Sequence, residues 1–434
     1  MSDTFNADRL TRLCDFLRHS PTPWHATGNM AAQLEQAGFQ RLEEKESWQL
    51  TPGKRYYATR NGSAIIAFQL PASNLTGLRM IGAHTDSPGL HLKPNADQRS
   101  AGWLQLGVQV YGGVLLAPWF DRDLGLAGRV HVRHADGRLE SVLLNVDRAI
   151  AMVPSLAIHL DREVNGGRPL NPQTQMSPVL MQSDDAQLSD LLAEWLEEQH
   201  GLRAVEVVDF ELGFYDVQPP SLVGVKQELV ASARLDNLLS CFVGLEALLA
   251  CDGRQGAVLV ANDHEEVGSA SACGAQGPFL ADVLKRINAQ VGKGGEEALI
   301  QLIQSSLMIS CDNAHALHPN FRDKHDERHG PAINGGPVIK VNASQRYATN
   351  SVTGALFRDV CREAGVPVQS FVTRADMGCG STIGPITATE LGVPTIDVGI
   401  AQWAMHSIRE TAGTKDVEYL TLALTAFLNR DALS

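Results

Sequence analysis

The apolar run Ala257-Val258-Leu259-Val260-Ala261 ends, four residues on, in two adjacent glutamates, Glu265 and Glu266, within the string NDHEEVGS. So short an apolar run, followed by polar residues, reads as a buried strand. Ionised carboxylates at the end of such a strand leave water only at a cost, unless a cation meets them. Neighbouring residues at a strand end point in different directions. One carboxylate can therefore hold a metal while the other faces a substrate and handles a proton. The chain is thus constrained to a sheet whose strand ends bring further ligands to this pair.

Those ligands are present as short clusters in a regular setting. His84-Thr85-Asp86 follows the strand-like LRMIGA, and Asp312-Asn313-Ala314-His315 follows LMISC. Arg234-Leu235-Asp236-Asn237 opens a helical stretch, and His406 stands in AMHS. In open α/β sheets ligands gather outside the carboxyl ends of strands. Taken singly each cluster has a plain structural reading: a loop histidine bonded to Asp86, a helix cap at Asp236, a turn at Asp312, a core histidine at His406. Taken together, at matching positions, they point to a metal centre of imidazole and carboxylate donors. That donor set suits zinc, cobalt or manganese, and the absence of thiolate speaks against a purely structural zinc site.

Length and composition bound the rest. At 434 residues the chain exceeds what one core usually organises, so two domains are expected. A formal charge of −13 argues against nucleic acid or an anionic membrane as the main partner. No stretch reaches the roughly 18 apolar residues of a membrane span, and the N-terminus has no secretory pattern. Seven cysteines without a C-x-x-C pair read as reduced thiols of a cytoplasmic protein.

Along the chain, Leu10, Leu13, Cys14 and Leu17 predict an amphipathic helix, broken at Pro21-Thr22-Pro23 and followed by a helix around Met30 to Ala37. Tyr56–Thr59 and Ala64–Phe68 predict a hairpin turned at Asn61-Gly62. From about residue 95 the texture becomes Gly-rich and alternating, with a turn at Asp136-Gly137 and a helix from Leu188 to Glu198 ended by Gly201. Strands and helices then alternate again: a helix over Asp236–Ala250, and strands at 257–261, 307–311, 338–341, 371–373 and 395–398. The expected fold class is α/β, a mixed, largely parallel sheet sandwiched by helices. Residues 1–94 and 229–434 form its two parts, and 95–228 form an inserted β-rich domain. His325-Asp326-Glu327-Arg328-His329 misplaces the glutamate of a zinc-protease H-E-x-x-H by one and reads as a solvated loop. Neither a serine-hydrolase elbow nor a P-loop is present.

The strings IGAHTDSP, WFDRDLGLAGRV, ARLDNLLS, DHEEVGS, DNAHALHPN, GPVIKVNASQRYAT, GCGSTIGPI and QWAMHSIRE, in order from near residue 16 to near 428, resemble the aspartyl aminopeptidases of metallopeptidase family 18. The resemblance implies a zinc-exopeptidase-like catalytic domain interrupted by a dimerisation domain, and homo-oligomers that are tetrahedral dodecamers. It implies that His84, Asp236, Glu266, Asp312 and His406 bind two zinc ions, with Asp236 bridging, Glu265 as general base and Asp86 supporting His84. It also implies that His159 contacts substrate or the transition state, in its own or a neighbouring subunit's site. Lys340 and Tyr347 would sit near the pocket for the first residue of a peptide with a free N-terminus, favouring Asp or Glu there. Gly378 stands where the family pattern has a proline, which bears on the substrate loop. Two hydrolytic alternatives remain, a neutral, leucine-preferring aminopeptidase and a zinc deacylase. A non-catalytic metal-binding shell protein is the alternative of a different class.

Overall fold

A computed structural model of the chain describes residues 7–433. They fall into two compact units. One comprises the chain up to Asp86, Pro220–Met405 and the segment from Glu410 on; the other comprises Ser87–Pro219 with His406–Arg409. The second unit begins and ends earlier than the sequence boundaries at 95 and 228. The strand Gly89–Ser100 already belongs to its sheet, whereas Ser221–Val223 and Leu229–Ser232 pair within the first unit.

The first unit is built on a nine-stranded sheet in the order 40–41, 55–60, 64–69, 256–262, 78–84, 307–311, 395–399, 338–340, 369–371. Its centre is parallel: Leu78–His84 lies between Gly256–Asn262 and Leu307–Cys311, running with both. Antiparallel pairs flank that centre, so the sheet is mixed and largely parallel as expected. Side chains alternate between its faces. Ala257, Leu259 and Ala261 enter one core with the helices Leu235–Ala250, Thr414–Leu428 and Ser351–Ala364. Val258 and Val260 enter the opposite core with Phe279–Val291 and Ile383–Leu391. Burial on both faces explains why the run reads as uninterrupted apolar sequence. Truncating the fully buried Leu259 to alanine would cost about 2–5 kcal/mol. A smaller five-stranded sheet in the same unit joins Ser221–Val223, Leu229–Ser232, Glu410–Gly413, Ala401–Trp403 and Ala314–His315.

The second unit is an antiparallel six-stranded sheet with the helix Leu188–His200 packed on it, ended by Gly201 at φ 66°. Its core includes Leu126, Val130, Leu144, Leu192 and Trp195. Among the described residues no helix is long and apolar enough to cross a membrane.

Two local expectations differ. The second helix spans Pro23–Gln36 rather than starting near Met30, because a proline at the first helical position lacks only an N–H that would have had no partner there. The helix Leu235–Ala250 contains Asp236 and Asn237 in non-helical conformations, so regular helix begins beyond them. The hairpin turn at Asn61-Gly62 does form, with φ of 56° and 67°.

Candidate metal centre

His84 ends its strand and is 1% exposed. Its Nδ1–H donates to the Asp86 carbonyl at 3.1 Å, which leaves Nε2 facing the other way. There Nε2 lies 3.5 Å from Asp236 Oδ1, 3.8 Å from Asp312 Oδ1 and 3.9 Å from Glu265 Oε2. One imidazole nitrogen thus faces three carboxylates from three separate segments of the chain: a helix start, a 3-10 turn and a strand end.

The Asp86 side chain ties the cluster together. Its Oδ1 lies 3.3 Å from His84 Nδ1 and accepts the Glu265 backbone N–H at 3.1 Å. Its Oδ2 accepts that of Glu266 at the same distance. The glutamates occupy a single 3-10 turn, Glu265–Val267, entered through His264 in the left-handed region. Burial, with further push from anionic neighbours, raises the Glu265 carboxyl to about 8, and Glu266 moves up for the same reason. His84 is driven upward against its own desolvation, chiefly by Glu265.

Asp236 is held from behind. Its backbone N–H donates to the buried Glu410 at 2.8 Å, and Glu410 also accepts from Gln402 at 3.4 Å. Asn313 donates to Gln402 at 3.0 Å and to the Leu235 carbonyl at 2.9 Å, while Asn237 donates to the Cys311 carbonyl at 2.8 Å. This polar layer was not predicted. A signal for it was present, since Asp-Asn occurs at both Asp236 and Asp312 and Glu410 follows His406 in the same string.

Asp312 lies just past its strand, with Oδ2 3.4 Å from Lys340 Nζ. Against the opposing effect of burial, Lys340 and His84 hold the Asp312 carboxyl well below the usual range. The Lys340 strand runs between Thr395–Gly399 and Gln369–Phe371, the residue is 3% exposed, and its ammonium lies 5.4 Å from the Tyr347 ring centre. Next to Tyr347 a cavity of about 310 Å³ is lined by His315, Lys324, Phe371, Arg374, Gly378 and Trp403, among others. A Cβ on Gly378 would meet nothing within 4 Å.

The remaining candidates lie in the second unit. His406 has a left-handed backbone, φ 68°, and its Nδ1–H donates to the Gly113 carbonyl at 3.0 Å, the same tautomer as in His84. His159 is on an exposed turn, beside the exposed Ile158 and Leu160. The His325–His329 segment forms no helix: His325 accepts the His318 backbone N–H, and His329 pairs with Asp326 at 2.6 Å.

These residues fit a hard or borderline divalent cation. One imidazole and two carboxylates, His84, Asp236 and Asp312, place ligand atoms within 4.8 Å of one another, and so do His84, Glu265 and Glu266. Carboxylates in such excess over imidazole and ammonium favour protonation of the glutamates, a balance that a divalent cation reverses.

The whole arrangement has relatives. Residues 16–428 match the family described as aminopeptidase I zinc metalloprotease (M18). A probable M18 family aminopeptidase 2 of Pseudomonas putida (strain GB-1) is 55% identical over 432 residues, covering 98% of both chains. Among solved structures, one from the Ape4 and Nbr1 complex superposes with a TM-score of 0.92 at 40% identity, covering 97% of this chain and 85% of the other. The S. cerevisiae mApe1 dodecamer gives 0.85 at 28% identity, covering 97% and 96%.

Proposed function

As a member of the M18 family of aminopeptidase I zinc metalloproteases the chain is a metal-dependent exopeptidase, and we propose that it removes acidic residues, Asp or Glu, from free N-termini using two metal ions per subunit. The observation that carries this reading is the convergence of Asp236, Asp312 and Glu265 within 3.9 Å of His84 Nε2. In this reading His84, Asp236, Glu266, Asp312 and His406 would hold the ions, Asp236 serving both. His406 is supported by its tautomer, with Nδ1–H bound to the Gly113 carbonyl. Zinc in this position supplies Lewis acidity, acidifying a water and polarising the scissile carbonyl, and cobalt or manganese would suit the same donors.

Glu265 takes the proton from the attacking water on a carboxylate oxygen and delivers it to the departing amine. Asp86 holds His84 in one tautomer and holds the turn that presents Glu265. His159 donates to the developing oxyanion, in its own or a neighbouring subunit's site. Lys340 and Tyr347, with Lys324, Arg374 and His315 on the cavity wall, would receive an acidic first side chain. The relative named as a dodecamer supports a homo-oligomer, which we take to be a tetrahedral dodecamer of dimers with the second unit as the dimerisation domain. All seven cysteines are free thiols, which suits a reducing cytoplasm.

A neutral preference is the second reading. The same cavity carries Phe371, Met377, Trp403 and Met405, and Arg374 is paired with Asp376 at 2.6 Å. Paired hydrolysis of aspartyl and leucyl chromogenic amides, with an N-acetylated control and with metal removed by chelation and restored singly, tests the proposal. Faster leucyl cleavage would overturn the acidic preference. Cleavage of the blocked substrate would favour a deacylase, and bound metal without any turnover would favour the shell protein.

A further inference from the structure

Behind the glutamate turn lies a second group of ligand atoms that the proposed chemistry does not use. A ring nitrogen of His264, the Cys273 sulfur and an Asp263 oxygen all lie within 4.8 Å of one another. His264 Nδ1 is 3.6 Å from Cys273 Sγ. Tetrahedral zinc, with Zn–S of about 2.3 Å and Zn–N of about 2.0 Å, sets its sulfur and nitrogen ligands about 3.5 Å apart. The backbone pre-arranges these groups: the Cys273 carbonyl accepts the Asp263 N–H at 3.1 Å and the Asn262 side chain at 3.3 Å. Asp263 is 2% exposed and Cys273 4%, while a third of the His264 side chain reaches solvent, which gives an ion a way in. The donor set also differs in kind from the catalytic one, since a thiol replaces the additional carboxylates.

We propose that Asp263, His264 and Cys273 form a separate site for a thiophilic divalent cation, zinc or cadmium, that binds beyond the catalytic complement. Binding replaces the Cys273 thiol proton with the metal and releases that proton to solvent. It also draws the His264 ring off Ser271 Oγ, to which Nδ1 now lies at 2.8 Å. His264 immediately precedes Glu265, so occupancy acts on the base through the shared backbone and slows turnover.

The test is a cadmium titration of the metal-loaded enzyme, followed by thiolate-to-cadmium absorption in the near ultraviolet. The catalytic cluster offers carboxylates and imidazole, so it does not produce this band. We expect one equivalent of cadmium to raise the band and to lower activity several-fold. In Cys273→Ser the band should vanish and activity should resist cadmium, and in His264→Asn the affinity should fall about ten-fold or more. Normal basal turnover of Cys273→Ser would show that the variant is folded. Should that variant be insoluble, Asp263→Asn with weakened cadmium affinity serves the same purpose. A band that is absent from the wild type, or that survives unchanged in Cys273→Ser, overturns the proposal whatever the enzyme's substrate preference.

Discussion

Asp86 Oδ2 accepts the backbone N–H of Glu266 at 3.1 Å, so the residue that orients His84 also fixes the turn carrying both glutamates. A substitution here should therefore damage metal binding and proton transfer together. Asp86→Asn places an amide where the turn needs an acceptor for two N–H groups. We expect metal affinity and kcat each to fall about 10–100-fold, the range for partners of metal ligands. Metal content after dialysis, measured beside kcat, checks this. A fall in kcat with full metal retention would separate Asp86 from the ligand.

The two glutamates should fail differently. Glu265→Gln should keep its metal and lose about 10²–10⁴-fold in kcat, the usual worth of a general base. Glu266→Ala should lose metal. Elemental analysis of the two variants beside turnover decides the assignment, and a fully active Glu265→Gln would sink it.

Lys340 touches Asp312 on one side and the Tyr347 ring on the other. If it also receives the substrate's acid, Lys340→Met should lower kcat/KM for aspartyl amides about ten-fold more than for leucyl amides, in line with about 1.5–3 kcal/mol for a charged hydrogen bond. Equal losses would confine Lys340 to holding Asp312.

His25 offers a pH test away from the metal. Burial, then Arg234, pushes its imidazole down from 6.5 to about 4, and Nδ1 sits 2.7 Å from Thr22 Oγ1. The unfolded chain takes up this proton as pH drops below 6.5 while the folded chain does not until about 4. The contribution of His25 to stability is therefore complete above pH 6.5 and lost as pH falls through that window. Relative to His25→Gln, the wild-type Tm should drop more steeply between pH 6.5 and 4.5. Parallel melting curves would refute the assignment of this shift.

Much of the first unit was legible because the central strands of its sheet are buried on both faces. The runs ending at His84, Asn262 and Cys311 are buried for their whole length and mostly apolar, with Arg79 and Ser310 as interior exceptions, and each is followed at once by polar residues. The inserted unit showed itself by alternation and turns, but its edges did not, since no local pattern marks that Gly89–Ser100 joins its sheet while Ser221–Val223 joins another. The proline at the start of Pro23–Gln36 was misleading because one residue type both ends and begins helices.

The sequence by itself pointed to imidazole and carboxylate donors for the candidate site and to most of the segments that carry them, because His84, Glu265 and Asp312 come after buried strands and Asp236 stands near the start of a helix. Only the tertiary structure decided how those donors are arranged. It put Lys340 in an interior strand against Asp312, Glu410 behind Asp236, and one Asp86 carboxylate beneath both glutamates. Sheet order sets these meetings, and it depends on packing between segments hundreds of residues apart, which local periodicity does not encode.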